Sequence, residues 1–297
     1  MNRMDRRDFI KTGFAGLTGL TVLHSGFANV NMHFPQDKMV DTVSLGKTGL
    51  TVSRMAMGTG TKGGNKASNF TRLGMDNFVK LAQHAYERGV RFYDTADSYG
   101  SMPYVKEAIK SYPRENITLL SKMWTQNDNT QNPVNVADEI DRFRKEFGVD
   151  YIDILLIHCM MEGNWNKTRT RYMDGFSKAK QAGIVKSIGM SSHNKDALIE
   201  AASNPWVDVI MARINPFGTN MDGDPEEIKK ILATAKSNGK GIIGMKIFGE
   251  GKHVKDDERE QSIRFAFTEG NIHCVTLGTE TIEQMDDAIN RVMSVRI

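Results

Sequence analysis

The sequence predicts an α/β fold, specifically a (β/α)8 TIM barrel with an N-terminal β-hairpin. Eight short apolar runs of strand length recur between residues 54 and 278, and stretches of helical period lie between them. Strands that alternate with helices indicate a parallel sheet covered by helices. The chain has 297 residues, which leaves room for one barrel of roughly 250 residues and an N-terminal extension.

The hairpin is predicted over residues 42–53 (TVSLGKTGLTVS), where strand-type alternation surrounds the turn residues Gly46-Lys47-Thr48-Gly49. The candidate strands of the barrel are residues 54–58, 91–95, 117–122, 151–158, 185–191, 207–214, 241–247 and 274–278. Helical patterns are clearest over residues 76–88, 136–147 and 225–238.

An open doubly wound sheet is the nearest alternative to a barrel. Such a sheet usually has a glycine-rich turn after its first strand. Residues 57–64 (MGTGTKGG) contain G-x-G, but they lack the third glycine at the expected spacing. The glycine pattern therefore favours the barrel.

Composition excludes several classes of function. The two cysteines, Cys159 and Cys274, belong to no CxxC or Cys/His cluster, so no metal site is expected. The net charge of +3 is small and is not gathered into a basic run, so nucleic acid is not an expected partner.

Residues 1–28 are predicted to be a signal peptide and not part of the fold. Residues 6–11 (RRDFIK) resemble a twin-arginine export signal, and a mildly apolar stretch and Gly26-Phe27-Ala28 follow. We expect export by the twin-arginine machinery to the periplasm, the alternative being a disordered cytoplasmic leader. The apolar run is too short to form a stable membrane anchor.

Polar residues close three consecutive predicted strands. Asp94, Lys122 and His158 each end an apolar run, and Tyr99 lies in the loop after the first of them. Active sites of these barrels lie at the carboxyl ends of the strands, so the four side chains are expected to meet. Each residue alone has an ordinary structural explanation, such as a helix cap or a solvated lysine, but the set of four is harder to explain that way.

Together the four residues would form an activated proton donor. A buried Lys122 ammonium beside Tyr99 favours the phenolate and is expected to lower the tyrosine pKa. Asp94 can neutralise the lysine, and His158 can orient a substrate oxygen. This arrangement predicts a general acid for carbonyl reduction, or a base for alcohol oxidation.

Several motifs resemble those of the aldo-keto reductase family. Residues 94–100 (DTADSYG) are similar to its D-T-A-x-x-Y-G motif, residues 45–53 (LGKTGLTVS) to its opening hairpin, and residues 183–191 (GIVKSIGMS) to its fifth strand. The resemblance covers roughly residues 42–295. It implies hydride transfer between a nicotinamide cofactor, NADP(H) or NAD(H), and the carbonyl or alcohol group of an aldehyde, ketone or sugar.

The resemblance also implies where the cofactor binds. The expected contacts are Gly58, Thr59, Ser191, Ser192, Met245, Lys246, Gly278, Thr279, Glu280 and Gln284. Three positions depart from the family pattern: Ser192 replaces an asparagine, Met211 a glutamine and Met245 an aromatic residue. Glu280 stands where a base often binds the adenosine 2′-phosphate, which favours NAD(H), although Lys246, Lys252, His253 and Lys255 could supply a base nearby.

Two other functions compete with the oxidoreductase. A catalytically idle barrel that binds cofactor or sugar as a sensor or accessory subunit would explain the altered cofactor contacts. A hydrolase would need paired carboxylates or metal ligands at the strand ends, and only Asp94 fits. The substrate is expected to meet an apolar mouth lined by Trp124, Met160, Met161, Trp165 and Phe217, the alternative being that these side chains pack in the core. His193 and His253 are interpreted as surface or cofactor-adjacent residues.

Overall fold

The computed structural model describes residues 39–126 and 134–296. The predicted signal peptide lies outside these residues. Two short strands, Thr42–Ser44 (β1) and Thr51–Ser53 (β2), form an antiparallel hairpin. The strands that follow are Met55–Gly58 (β3), Phe92–Asp94 (β4), Thr118–Trp124 (β5), Ile152–Met160 (β6), Val185–Ser192 (β7), Val209–Arg213 (β8), Gly241–Met245 (β9) and Cys274–Leu277 (β10).

These eight strands form a closed parallel barrel in the order β10-β3-β4-β5-β6-β7-β8-β9. The barrel and the hairpin in front of it are both confirmed, and the closed sheet excludes the doubly wound alternative. All eight predicted strands are present. β5 and β6 each continue two residues beyond the predicted ends, to Trp124 and Met160, because polar residues within them face the barrel mouth without ending the strand.

Helices cover the outside of the barrel. They are Asn69–Arg72 (α1), Met75–Glu87 (α2), Met102–Ile109 (α3), Val136–Phe147 (α4), Trp165–Thr168 (α5), Thr170–Gln181 (α6), Lys195–Ser203 (α7), Pro225–Ser237 (α8), Asp256–Thr268 (α9) and Ile282–Ser294 (α10). Short 3₁₀ turns occupy Asp97–Tyr99 and Arg114–Asn116. The three helices singled out in the sequence correspond to α2, α4 and α8.

The apolar core has two layers. The large cluster fills the space between strands and helices, and a smaller one fills the barrel interior. Leu45 and Val52 of the hairpin belong to the interior cluster and are fully buried. The hairpin also donates the Lys47 N–H to the carbonyl oxygen of Gly239, which precedes β9. The hairpin therefore closes the amino end of the barrel and leaves the carboxyl end for a site.

Within the described residues, no helix combines the length and apolarity needed to cross a bilayer.

Candidate active site

The four predicted catalytic residues come together at the carboxyl end of the barrel. Asp94 is the last residue of β4, Lys122 lies in β5 and His158 in β6. Tyr99 ends the 3₁₀ turn that follows β4. The turn brings the tyrosine back over the strand ends, so residues far apart in sequence face one another.

A buried ion pair forms the base of the site. The Lys122 ammonium donates to Asp94 Oδ1 and also to the carbonyl oxygen of Thr95, at 2.8 Å. Lys122 is 1% exposed and Asp94 is 5% exposed. A buried charge is tolerated when it is paired and hydrogen-bonded, and both conditions hold here.

Tyr99 lies directly above this pair. The Lys122 nitrogen is 4.9 Å from the centre of the tyrosine ring, and the Tyr99 hydroxyl is 3.5 Å from His158 Nε2. A Cβ atom on Gly60 or Gly63 would overlap the tyrosine ring. The glycines after β3, which lack the spacing of a dinucleotide-binding turn, thus allow the backbone to pack against Tyr99.

Burial dominates the protonation states of the site. Desolvation raises the pKa of Tyr99 above its usual value, and the opposing effect of Lys122 does not overcome it. Lys122 does act to lower the tyrosine pKa, as expected, but the predicted net lowering is wrong. For Lys122, desolvation favours the neutral amine, but Asp94 and Tyr99 together raise its pKa. Burial, Lys122 and His193 lower the pKa of His158 well below its usual value, so the ring is neutral.

Strand β6 is irregular immediately after His158. The pairing with β7 shifts register between Ile157 and Met160, and Cys159 has φ 62°. Ser191 Oγ accepts the Cys159 N–H at 2.8 Å, and Gln126 Nε2 donates to the Cys159 carbonyl oxygen at 2.8 Å. A left-handed conformation is rare outside glycine and persists where neighbouring contacts fix it. The bulge therefore lies in β6 directly beside His158, at the carboxyl end of the barrel.

Thr276 of β10 is a contact that sequence reasoning missed. Its hydroxyl donates to Asp94 Oδ2 at 2.8 Å. The sequence did contain a signal for this contact. Thr276 lies two residues after the interior residue Cys274, so it is a polar side chain on the inward face of the strand.

The predicted cofactor contacts near β3 and β7 form hydrogen bonds within the protein. The Thr59 hydroxyl donates to the Asp94 carbonyl oxygen at 2.8 Å and lies 2.7 Å from Ser101 Oγ. Ser191 accepts from Cys159, and Ser192 Oγ donates to the Asn194 carbonyl oxygen at 2.9 Å. Thr59 and both serines are almost completely buried. Their cofactor roles stay predictions, and the contacts that they make shape the strand ends.

Gly58 and Gly278 both leave room for a neighbouring side chain. A Cβ atom on Gly58 would lie 2.7 Å from Thr276 Oγ1, and one on Gly278 would overlap Thr61. Met245, at the end of β9, is 9% exposed and belongs to the interior cluster together with Met211.

The loop after β10 contains the remaining predicted cofactor residues. Asn69 of α1 donates its amide to Glu280 Oε1 at 2.5 Å, and the Glu280 N–H donates to Gln284 Oε1 at 2.8 Å. Thr279 is buried and its hydroxyl contacts the Met285 sulfur at 3.7 Å. Glu280 is therefore held in one orientation, beside the loop that follows β3.

Ion pairs surround the mouth of the barrel. In addition to Lys122 and Asp94, they join Arg169 to Glu162 at 2.8 Å, Arg213 to Asp222, and Lys246 to Glu250 at 2.5 Å. Lys246 follows β9 with φ 55°.

His193, interpreted as a surface or cofactor-adjacent residue, is partly buried near this ring of charges. Burial, and then Arg213, Lys246 and Lys122, lower the pKa of His193 to about 3. His193 is therefore neutral at physiological pH. His253 instead stacks on Phe217, with ring centres 3.9 Å apart.

The predicted apolar mouth is correct in part. Trp124 is 39% exposed and meets the His158 ring edge-on, and Met161 is 59% exposed. Met160 and Trp165 are completely buried, so their assignment to the mouth is wrong. Trp165 packs on Trp206 as part of the outer core. Across residues 39–126 and 134–296, no group of three or more His, Cys, Asp or Glu side chains could hold a metal ion.

The fold and the site together define a class of protein: (β/α)8 barrels in which a tyrosine, a lysine, an aspartate and a histidine meet at the carboxyl end. The family model of the aldo/keto reductases matches residues 54–294, and the chain belongs to that family.

Two curated relatives are identical to this chain at about a quarter of the aligned positions. NADH-specific methylglyoxal reductase from Escherichia coli is 24% identical over 215 residues, which are 66% of this chain and 64% of the relative. L-galactose dehydrogenase from Arabidopsis thaliana is 25% identical over 213 residues, 69% and 64% of the two chains. The match therefore spans slightly less than two thirds of each relative's length.

Solved structures share the fold. The Bombyx mori aldo-keto reductase in complex with NADP superposes with a TM-score of 0.65 at 20% identity, covering 87% of this chain and 89% of that one. The holo form of an aldo-keto reductase from Bacillus halodurans has a TM-score of 0.66 at 17% identity, with coverage of 87% and 92%.

Proposed function

We propose that the protein is an NAD(P)-dependent oxidoreductase that interconverts a carbonyl compound and its alcohol, with Tyr99 as the proton donor. The observation that carries this proposal is the Tyr99 hydroxyl, which lies 3.5 Å from His158 Nε2 above the buried Lys122–Asp94 pair. A buried cation directly beneath a phenol is costly to maintain, and stabilising a phenolate during proton transfer would justify that cost.

The residues at the mouth fit a nicotinamide cofactor. Met245 ends β9 at the carboxyl end of the barrel and is 9% exposed, so its thioether offers an apolar contact for a flat ring, and Met211 packs beneath it in the interior cluster. Ser191 would contribute a hydroxyl beside it. When bound, the cofactor supplies or accepts the hydride.

The chain's own residues handle the proton. In carbonyl reduction, the Tyr99 hydroxyl gives its proton to the substrate oxygen, and Lys122 stabilises the phenolate that remains. With its single proton on Nε2, beside Tyr99, the neutral His158 ring would donate a hydrogen bond that orients the substrate oxygen. Its Nδ1 is buried and has no hydrogen-bond partner among the described residues. Trp124 meets the His158 ring edge-on and so lies beside the reacting centre.

The test is oxidation of NADH and NADPH by the purified protein with a panel of aldehydes, ketones and sugars, in parallel with Tyr99→Phe. The substitution keeps the ring and removes the proton, which is worth roughly 10²–10⁴ in rate. We expect turnover to fall by at least that factor while cofactor affinity changes little. A Tyr99→Phe variant with near-normal turnover would exclude Tyr99 as the acid.

An idle binding barrel is the second candidate, and the three altered cofactor positions, Ser192, Met211 and Met245, favour it. The same assay separates the two functions. Cofactor binding without turnover of any compound in the panel would support the sensor or accessory role.

We propose NAD(H) as the preferred cofactor. Asn69 fixes Glu280, and a carboxylate there repels a 2′-phosphate but can accept hydrogen bonds from a free ribose hydroxyl. Fluorescence titration of both reduced cofactors tests this. If NADPH bound tenfold more tightly, a difference of about 1.4 kcal/mol, Glu280 would not govern the choice.

We also propose export by the twin-arginine route, supported by the sequence of residues 6–11. Replacing Arg6 and Arg7 together with lysine should retain the protein inside the cell. Cell fractionation that still finds the doubly substituted protein in the periplasm would contradict the proposal.

A further inference from the structure

Asp94 is held at both carboxylate oxygens and at its backbone. Oδ1 accepts from Lys122, and Oδ2 accepts from Thr276 at 2.8 Å. The Asp94 carbonyl oxygen accepts from both the N–H and the hydroxyl of Thr59, at 3.0 and 2.8 Å. A carboxylate fixed at both oxygens cannot rotate about its terminal bond without losing a hydrogen bond.

The contact from Thr276 crosses an intervening strand. Thr276 lies on β10 and Asp94 on β4, and β3 runs between them, pairing with both. Gly58 is the β3 residue aligned with Asp94, and a Cβ atom there would lie 2.7 Å from Thr276 Oγ1. The missing side chain of Gly58 therefore opens the path by which the hydroxyl reaches the carboxylate.

We infer that Thr276 is a positioning residue for proton transfer, which acts on Tyr99 through Asp94 and Lys122. This inference rests on the proposed function. The hydroxyl fixes the carboxylate plane, the carboxylate fixes the Lys122 ammonium, and the ammonium lies 4.9 Å from the centre of the Tyr99 ring. Thr276 itself would touch neither the reacting oxygen nor the hydride. Gly58 serves the same arrangement by leaving space for the hydroxyl.

The proposal predicts a specific kinetic pattern. Without the Thr276 hydroxyl, Asp94 Oδ2 loses its donor and the carboxylate can turn, so the ammonium is less well placed when the phenolate forms. Proton transfer should slow, while binding of substrate and cofactor should be nearly unaffected. The solvent deuterium isotope effect on kcat should grow, because proton transfer then limits the rate more strongly.

The experiment compares Thr276→Val, which keeps the shape of the side chain, with Thr276→Ser, which keeps the hydroxyl. We expect kcat of the valine variant to fall about tenfold, with KM and cofactor affinity within twofold of the wild type. The serine variant should recover kcat to within about threefold. Equal kcat values for the valine and serine variants, or an effect on KM alone, would overturn the proposal.

A double-mutant cycle tests the contact independently of activity. Thr276→Val should lower the melting temperature of the wild type more than that of an Asp94→Asn variant, since only the wild type has the charged acceptor. Equal losses in the two backgrounds would show that the hydroxyl does not act on Asp94. If the valine variant does not fold, Thr276→Ala takes its place in both experiments.

The outcomes distinguish this inference from the proposed function. Absence of turnover by the wild-type protein, or normal turnover by Tyr99→Phe, contradicts the proposed function. Turnover that depends on Tyr99 but is indifferent to the Thr276 hydroxyl contradicts only the inference.

Discussion

The charged side chains at the base of the site are stabilised by pairing with each other and not by contact with water. Lys122 and Asp94 are both almost completely buried, and each charge is balanced by the other. Removal of one member of such a pair leaves an uncompensated buried charge, which is more costly than replacing both. A single substitution of Lys122 or Asp94 is therefore expected to lower both stability and activity.

Lys122→Met tests the pair. It keeps the side-chain length and leaves the Asp94 carboxylate without its cation, so we expect a loss of about 3–5 kcal/mol in the free energy of unfolding, together with loss of turnover. Urea denaturation measures the first effect. Lys186→Met is the matched control: Lys186 is half-exposed and its partner Asp153 keeps Arg114, so the cost should stay below about 1 kcal/mol. Equal losses in both variants would contradict the interpretation.

His193 gives the fold a pH dependence. Its pKa is lowered to about 3, whereas an unfolded histidine titrates near ~6.5, so the unfolded chain binds more protons between these values. The stability from the neutral ring is complete above pH ~6.5 and is lost as the pH falls towards 3. When the pH is lowered from 7.5 to 5.5, the free energy of unfolding of His193→Asn should fall by about 1 kcal/mol less than that of the wild type. Urea denaturation at both pH values measures this difference. An identical pH dependence in the two proteins would exclude His193 as a contributor.

Among the elements, strand β6 was predicted from its apolar run, but its bulge was not. The apolar run up to Ile157 predicted the strand, and His158 was expected to end it. The strand instead continues to Met160 through a bulge, which depends on contacts from Ser191 and Gln126. Those contacts come from other parts of the chain, so hydrophobic periodicity carries no information about them.

The bulge itself can be tested at Cys159. Glycine adopts a φ of 62° without a Cβ clash, so Cys159→Gly should be neutral or stabilising by up to about 1 kcal/mol. Cys159→Val adds a β-branched side chain to the same conformation and should destabilise by more than that. Thermal denaturation of both variants is the measurement. A valine variant as stable as the glycine variant would show that the backbone conformation is not strained.

The strands, and the four residues that meet at the carboxyl end of the barrel, were thus predictable from the sequence, whereas the contacts between them were not. Asp94, Lys122 and His158 were recognisable because a polar residue closing an apolar run is unusual. The net direction of the Tyr99 pKa was mispredicted because the pattern shows the neighbouring lysine but not the extent of burial. Thr276 was identifiable as an inward polar residue, but its partner is defined only when β10 meets β3 and closes the barrel.

At the scale of the whole molecule, the hairpin and the closed sheet leave one end of the barrel available for chemistry. Leu45 and Val52 fill the amino end, and the loops at the carboxyl end bear the ion pairs. Stability and function are therefore separated along the barrel axis, as this fold generally allows.

The paired charges around the mouth also have a consequence for diffusion. Each of the four mouth cations named above faces an acid, and His193 is neutral, so these residues create little long-range field to steer a charged substrate. At saturating cofactor, kcat/KM for a neutral aldehyde should be nearly independent of salt.

Glu250→Gln would leave Lys246 without its carboxylate. The variant should then capture an anionic aldehyde such as glyoxylate faster at low ionic strength, and added salt should abolish the gain, because the Debye length shrinks to about 10 Å at 0.1 M. A wild-type protein that already captured glyoxylate with a steep salt dependence would show that the mouth attracts anions without this change. The ion pairs would thus set the rate at which substrates of different charge reach the mouth of the barrel.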